Sequence, residues 1–138
     1  MSEALHVHEL RLVVTVDDYD EAVGFYRDVL GLPERLSVAS PDGRVTILEA
    51  GRATLELADP PHAAFIDEVE VGRRVAGQVR VAFAVDDSEV ATATLAAAGA
   101  TVIAAPTPTP WGSLNARLAA PGALQLTLFS GEVEADDA

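Results

Sequence analysis

The sequence predicts an α+β fold built from two βαβββ modules, and three observations support this prediction. The chain contains an internal repeat, because RLVVTVDD at Arg11–Asp18 recurs as RVAFAVDD at Arg80–Asp87. Each copy alternates like a half-buried strand and is followed by a stretch with helical spacing of apolar residues. Glycine, proline and aspartate then divide the rest of each half into three more segments of strand length.

The first module covers about residues 8–58. Its opening strand begins at Arg11 and leads into a helix predicted over Tyr19–Leu30. Asp18 with Glu21 fits a capping box at the start of this helix, and Gly31 suits the position after its end. Ser40-Pro41-Asp42-Gly43 marks a turn between the first two of the three strands expected next: Arg35–Ala39, Arg44–Ala50 and Ala53–Ala58.

The second module covers about residues 79–129 and has the same order. Its helix is predicted over Ser88–Ala98, with Asp86 as the N-cap and Glu89 completing the box. Residues 59–78 form a linker with few strand signals, and residues 130–138 form an acidic tail. We expect one domain over residues 1–138, with three final strands: Ala100–Ala105, Ser113–Ala119 and Ala123–Phe129.

Four polar residues occupy equivalent positions in the two halves. Arg80 follows Arg11 by 69 residues, and Gln125 follows Glu56 by 69. Both arginines lie opposite the bulkier apolar face of their strands, while Glu56 and Gln125 each lie between two leucines. Because successive side chains of a strand point to opposite faces, we expect the leucines to face the helices and all four polar residues to share one concave surface.

Composition narrows the classes of partner. The net charge is −13, with nine lysines and arginines in 138 residues, so nucleic acid is not expected as a partner. No cysteine is present, which excludes disulfides and thiolate metal sites. The N-terminus MSEALHVHEL lacks the pattern of a signal peptide, and no apolar stretch has membrane-spanning length, so we expect a cytoplasmic protein without a membrane partner.

Several stretches resemble the vicinal oxygen chelate superfamily, which includes glyoxalase I, bleomycin-resistance proteins and extradiol dioxygenases. They cover nearly the whole chain: RLVVTVDDYDEAVGFYRDVLGLP (Arg11–Pro33), ATLELA (Ala53–Ala58), VRVAFAVDD (Val79–Asp87), AAAGATV (Ala96–Val102), TPWG (Thr109–Gly112) and APGALQLTLF (Ala120–Phe129). The resemblance implies a cup-shaped, partly open mixed β-barrel with the helices outside, and a homodimer. It leaves the function open, because the superfamily spans several reaction classes and non-enzymatic binders.

The resemblance also implies where a metal would be expected. Metal-dependent members bind a divalent ion through histidine, glutamate or glutamine at four strand positions, which fall here on Arg11, Glu56, Arg80 and Gln125. Arginine stays protonated and has no lone pair to offer, so two of the four ligands are lost and no metal cofactor is expected. A β-bulge bringing His6 or His8 into the cup is the alternative that the sequence leaves open.

Three arrangements of the arginines are possible. One arginine binds a ligand oxygen, or Arg11–Glu56 and Arg80–Gln125 form closed pairs, or both arginines lie in water at the rim of the barrel. Trp111 is the fifth candidate ligand-binding residue, either as an aromatic wall of the cup or as a plug over its open end.

The sequence favours a metal-free protein that binds or sequesters a small molecule. The alternative is a lyase, isomerase or dioxygenase, using either an unrecognised set of metal ligands or Glu56 as a general base without metal. A neighbouring arginine makes a carboxylate a weaker base, which disfavours the latter. The identity of the ligand, and whether the modules pair within one chain or between two, stay open.

Overall fold

A computed structural model describes residues 11–53, 56 and 58–131. These residues form an α+β fold with three helices and two sheets, which confirms the predicted class. The first helix continues into a wider π-helical segment at Gly24–Val29. The helices are α1 (Tyr19–Val23), α2 (Pro60–Glu70) and α3 (Ser88–Ala97), and the strands are β1 (Glu34–Ser40), β2 (Gly43–Leu48), β3 (Val81–Ala84), β4 (Thr101–Pro108), β5 (Leu114–Ala120) and β6 (Leu124–Ser130).

The second half of the chain forms a mixed four-stranded sheet in the order β3-β6-β5-β4. β3 runs parallel to β6, with Val81 opposite Leu126 and Phe83 opposite Leu128, while the other pairs are antiparallel. The sheet is open rather than closed into a barrel. The predicted βαβββ order therefore holds in this half.

The core lies between one face of this sheet and two helical segments, α3 and the π-helical segment Gly24–Val29. Leu118, Leu126 and Leu128 are fully buried there with Phe25 and Leu95, and Val81, Phe83 and Val85 pack against them. The strand parity predicted from the sequence is thus confirmed for the apolar face. Burial of each such side chain contributes about 1.5–3 kcal/mol, so this face determines which residues point the other way.

The two helix starts show how local sequence sets the element boundaries. Asp18 caps α1 as predicted, because its Oδ1 accepts from the Glu21 amide at 3.0 Å. The cap of α3 is Asp87 rather than the predicted Asp86, and its Oδ1 accepts from the amides of Glu89 and Val90. The strand pairing explains this shift, because the Val85 amide still donates to Phe129 and the chain turns only after it.

The first half departs from the prediction. The hairpin of β1 and β2 turns at residues 41–42 as expected, but residues 11–16, predicted as a strand, have no strand structure. A strand needs a neighbouring strand to complete its hydrogen bonds. β3 has β6 as this neighbour, whereas among the described residues no strand pairs with residues 11–16. Ala53, Glu56 and Ala58 also lie outside strands, whereas Thr54, Leu55, Leu57, His6, His8 and residues 132–138 are outside the described residues.

The linker contains a helix that was not predicted from the sequence. Asp59 caps α2 by accepting from the His62 amide at 3.0 Å, and Pro60 and Pro61 occupy its first turn. His62, within the stretch interpreted as a linker, therefore lies in a helix. An acidic cap followed by proline is a favourable helix start, because proline lacks an amide hydrogen where none is needed.

Candidate functional site

The concave face of the four-stranded sheet is polar and is covered in part by α2. Asn115 and Arg117 on β5 and Thr127 on β6 are buried on the face opposite the leucine core. Alternation along the strands places them there, because each is flanked by residues of the core face. Helix α2 contributes two buried carboxylates, Asp67 and Glu70, to the same space.

Arg117 is the centre of this cluster and is fully buried. Its Nη1 lies 2.7 Å from Asp67 Oδ1 and 3.1 Å from Gln125 Oε1. Its Nε and Nη2 lie 3.1 and 3.0 Å from Glu70 Oε1. Arg117 was not among the predicted site residues, although strand parity, which placed Gln125, applies equally to an arginine between Ala116 and Leu118.

Glu70 accepts hydrogen bonds through both of its carboxylate oxygens. Asn115 Nδ2 donates to Oε2 at 2.8 Å, while the Thr127 hydroxyl donates to Oε1 at 2.8 Å beside the two bonds from Arg117. All four donors belong to β5 and β6. We call these three sheet residues, Asn115, Arg117 and Thr127, the carboxylate cradle.

Asp67 ties the segment after α2 to the same cluster. Its Oδ2 accepts from the amides of Val75 and Ala76 at 2.8 and 2.9 Å and from Arg74 Nη1 at 2.6 Å. Burial favours the neutral carboxyl, but these hydrogen bonds, with that of Arg117, outweigh it and hold the pKa of Asp67 well below its usual range. Asp67 is therefore ionised, and both of its carboxylate oxygens accept hydrogen bonds from within the protein.

Arg80 lies at the open side of the cluster. It is half-buried, and its Nη1 donates to Thr127 Oγ1 at 2.7 Å. Burial lowers the pKa of Arg80, and the positive charge of Arg117 lowers it further, against the opposing charges of Glu70, Glu56 and Asp67. On the same strand face beyond it, Ala82 and Ala84 are exposed.

The structure brings two of the four predicted polar residues into one network. Arg80 and Gln125 are connected through Thr127, Glu70 and Arg117, but the direct Arg80–Gln125 pair is not formed. Gln125 instead accepts from Arg117 and donates through Nε2 to the Val75 carbonyl at 2.8 Å. Glu56 is exposed and acts on Arg80 through its charge, and Arg11 is exposed at the start of the described chain.

Trp111 lies beside α2. Its ring centroid is 6.3 Å from that of Phe65, which in turn is 6.2 Å from that of His62. The turn that carries Trp111 is held by Thr109 and Ser113, whose hydroxyls are 2.9 Å apart. Ser113 Oγ also donates to Asn115 Oδ1 at 2.7 Å, so a chain of hydrogen bonds joins this turn to the carboxylate cradle.

The donor set does not fit a divalent ion at the position that the resemblance implies. Both arginines lack a lone pair, and the side-chain oxygen of Gln125 already accepts from Arg117. Among the described residues, no three histidine, cysteine, aspartate or glutamate side chains are grouped as metal ligands.

The described part of the chain includes no helix long and apolar enough to cross a membrane.

Comparison with known proteins identifies the family. The model of the Glyoxalase/Bleomycin resistance protein/Dioxygenase superfamily matches residues 7–126. The chain belongs to this superfamily. A search of curated proteins found no match.

Solved structures of other superfamily members and related proteins share the fold. Hypothetical protein SA1046 from S. aureus has a TM-score of 0.60 at 15% identity, over 91% of this chain and 95% of that one. TnmS3, an antibiotic binding protein from Streptomyces sp. CB03234, has a TM-score of 0.59 at 22% identity, over 92% and 100%. A superfamily member from Sphaerobacter thermophilus has a TM-score of 0.57 at 23% identity, over 85% and 91%. At these identities, the likeness concerns the fold.

Proposed function

We propose that this glyoxalase-like protein binds or sequesters a small molecule without a metal, and that Arg80 receives an anionic or carbonyl oxygen of that ligand. The observation that carries the proposal is the position of Arg80. It is half-buried on the concave face, yet Thr127 is the one hydrogen-bond acceptor that the described residues offer it.

The balance of charge supports this assignment. Asp67 and Glu70 are the buried carboxylates of the concave face, and both are bonded to Arg117. In the described structure, Arg80 forms no ion pair with either carboxylate. Its burial and the repulsion of Arg117 disfavour its charge, and the charges of Glu70, Glu56 and Asp67 only partly offset this. A guanidinium in that position can donate further hydrogen bonds to a ligand oxygen, because it presents several N–H donors in one plane.

The other proposed ligand-binding residues have different roles. Gln125 positions Arg117 and the segment at Val75, since both ends of its amide are hydrogen-bonded. Trp111 offers an aromatic surface together with Phe65. We retain Arg11 and Glu56 as proposed contacts at the exposed side of the cup.

The class of function agrees with one structural relative, since TnmS3 is an antibiotic binding protein. We further propose that the protein is cytoplasmic and, as the family resemblance implies, a homodimer. A nucleic-acid partner is not proposed, since the net charge of −13 opposes contacts with phosphates. Catalysis with Glu56 as general base stays a prediction, because within the described residues no hydrogen bond positions this exposed carboxylate.

Thermal-shift screening followed by calorimetry tests the proposal. The panel contains divalent metals, antibiotics and small carboxylates, and a ligand at a hundred times its Kd stabilises the protein by about 2.7 kcal/mol. Arg80→Gln is expected to weaken binding at least tenfold. Arg44→Gln is the matched control. Arg44 is an exposed arginine on the β1–β2 hairpin, away from the concave face, and it is hydrogen-bonded to Asp20 in α1.

Two results would contradict the proposal. Stoichiometric metal in the purified protein, required for ligand binding, would overturn the metal-free part. Equal ligand affinity in the wild type and Arg80→Gln would remove Arg80 from the site.

A further inference from the structure

Glu70 occupies a binding site that the sheet alone constructs. Its carboxylate accepts two bonds from Arg117, one from Asn115 and one from Thr127, and each of these donors is at least nine-tenths buried. An arginine, an amide and a hydroxyl that converge on one carboxylate form a site for a carboxylate in general, whichever molecule carries it.

Helix α2 is held over this site by charge more than by apolar packing. Its three buried residues are Ile66, Asp67 and Glu70, so a single apolar side chain is buried along eleven residues. Phe65, the largest apolar residue of the helix, is half exposed. The desolvation of buried ion pairs offsets most of their attraction, so this docking provides less net stabilisation than an apolar interface of similar extent.

We infer that the carboxylate cradle of Asn115, Arg117 and Thr127 is a second binding site, for the carboxylate of a small molecule, and that Glu70 on α2 is its displaceable occupant. An external carboxylate takes the four hydrogen bonds that Glu70 makes. Helix α2 then leaves the concave face together with Asp67, whose hydrogen bond from Arg117 is broken. The inference goes beyond the Arg80 site and does not depend on it.

Chemical rescue of a cavity variant tests the cradle. Glu70→Ala removes the Cγ methylene and the carboxylate, which together have the size of acetate. The expected result is a large fall in Tm that acetate reverses by several degrees in a saturable manner, whereas chloride at equal ionic strength does not. Glu68→Ala is the control, since Glu68 is exposed on the same helix, and its Tm should not respond specifically to acetate.

Hydrogen exchange of the wild type tests the displacement of α2. Acetate or propionate should accelerate amide exchange in residues 60–70, while β5 and β6 stay protected. If Glu70→Ala fails to fold under every condition, the exchange measurement on the wild type alone tests whether a carboxylate displaces Glu70. Folding of Glu70→Ala that depends on acetate supports the inference.

Either of two results would overturn the inference: no acetate-specific rise in the Tm of a folded Glu70→Ala, or unchanged exchange of α2 in saturating carboxylate. Failure of the Arg80 proposal is distinguishable from both. It is read from the ligand affinity of Arg80→Gln, whereas the rescue and exchange measurements use proteins in which Arg80 is intact.

Discussion

Arg117 and Glu70 meet inside the protein through one carboxylate oxygen, with Arg117 Nε and Nη2 lying 3.1 and 3.0 Å from Glu70 Oε1. This pair joins two parts of the chain that are far apart in sequence, the linker helix and the middle of the sheet. It fixes which face of α2 points into the cup. The second carboxylate on Arg117, from Asp67, lies one helical turn earlier on the same face of α2.

Arg117→Met is expected to destabilise the protein strongly. The variant leaves Asp67 and Glu70 buried beside an apolar side chain, and breaking a buried pair from one side costs about 3–5 kcal/mol. Urea denaturation monitored by circular dichroism measures the loss. Arg27→Met is the comparison, because Arg27 forms exposed ion pairs with Asp28 and Glu34, so its loss should change the stability little. Similar losses in both variants would contradict this account of the cluster.

The same substitution should have opposite effects at two buried threonines. Thr127→Val removes a hydroxyl that donates to Glu70 and accepts from Arg80, so we expect a loss of about 1–3 kcal/mol. Thr92→Val removes a buried hydroxyl that has no hydrogen-bond partner in the described structure, so we expect unchanged or higher stability, by up to about 1 kcal/mol. Denaturation midpoints of the two variants check the signs, and a stabilised Thr127→Val would be inconsistent with the network.

Stability should fall in acid partly through Asp67. Hydrogen bonds from Ala76, Val75, Arg117 and Arg74 outweigh the effect of burial and hold the pKa of Asp67 below that of the unfolded chain, about 3.9. The unfolded state therefore binds more protons as the pH falls. The contribution of Asp67 is fully present above about pH 4 and is lost progressively below it.

Asp67→Asn provides the comparison for this pH dependence. It should be less stable than the wild type at pH 7 and should show a shallower decline of unfolding free energy between about pH 4 and pH 2. Urea titrations across this range measure both slopes. Parallel slopes would mean that Asp67 keeps an ordinary pKa.

A side chain at Gly122 should destabilise the protein. It has a φ of +87°, and a Cβ built there would lie 3.0 Å from Val16 Cγ1 and 3.3 Å from Val14 Cγ1. Gly122→Ala should therefore cost about 1 kcal/mol or more through backbone strain and crowding against the segment that precedes α1. Gly77→Ala, at a position with open space around it, should cost less, and thermal denaturation of the two variants gives the difference.

Alternation in the second half of the chain was enough to place Arg80 and Gln125 opposite Phe83 and Leu126. The directions of these side chains follow from the strand period and from the preference of leucine and phenylalanine for the core, both of which are local properties. Capping of α1 by Asp18 is equally local. The family also followed from the sequence, whereas the module boundaries at residues 8–58 and 79–129 stay predictions.

Which side chains pair with each other on the concave face depended on the tertiary structure. No local pattern could pair Arg117 with Asp67 and Glu70, because they are separated by 50 and 47 residues and meet only when α2 packs over the sheet. Residues 11–16 show the converse, since their alternation matches that of β3 but pairing requires a neighbouring strand. The sequence by itself determined the class of fold, the apolar face of the sheet and the placement of Arg80 on the opposite face. Which carboxylates neutralise Arg117, and that Arg80 is left with Thr127, depended on long-range packing that periodicity does not encode.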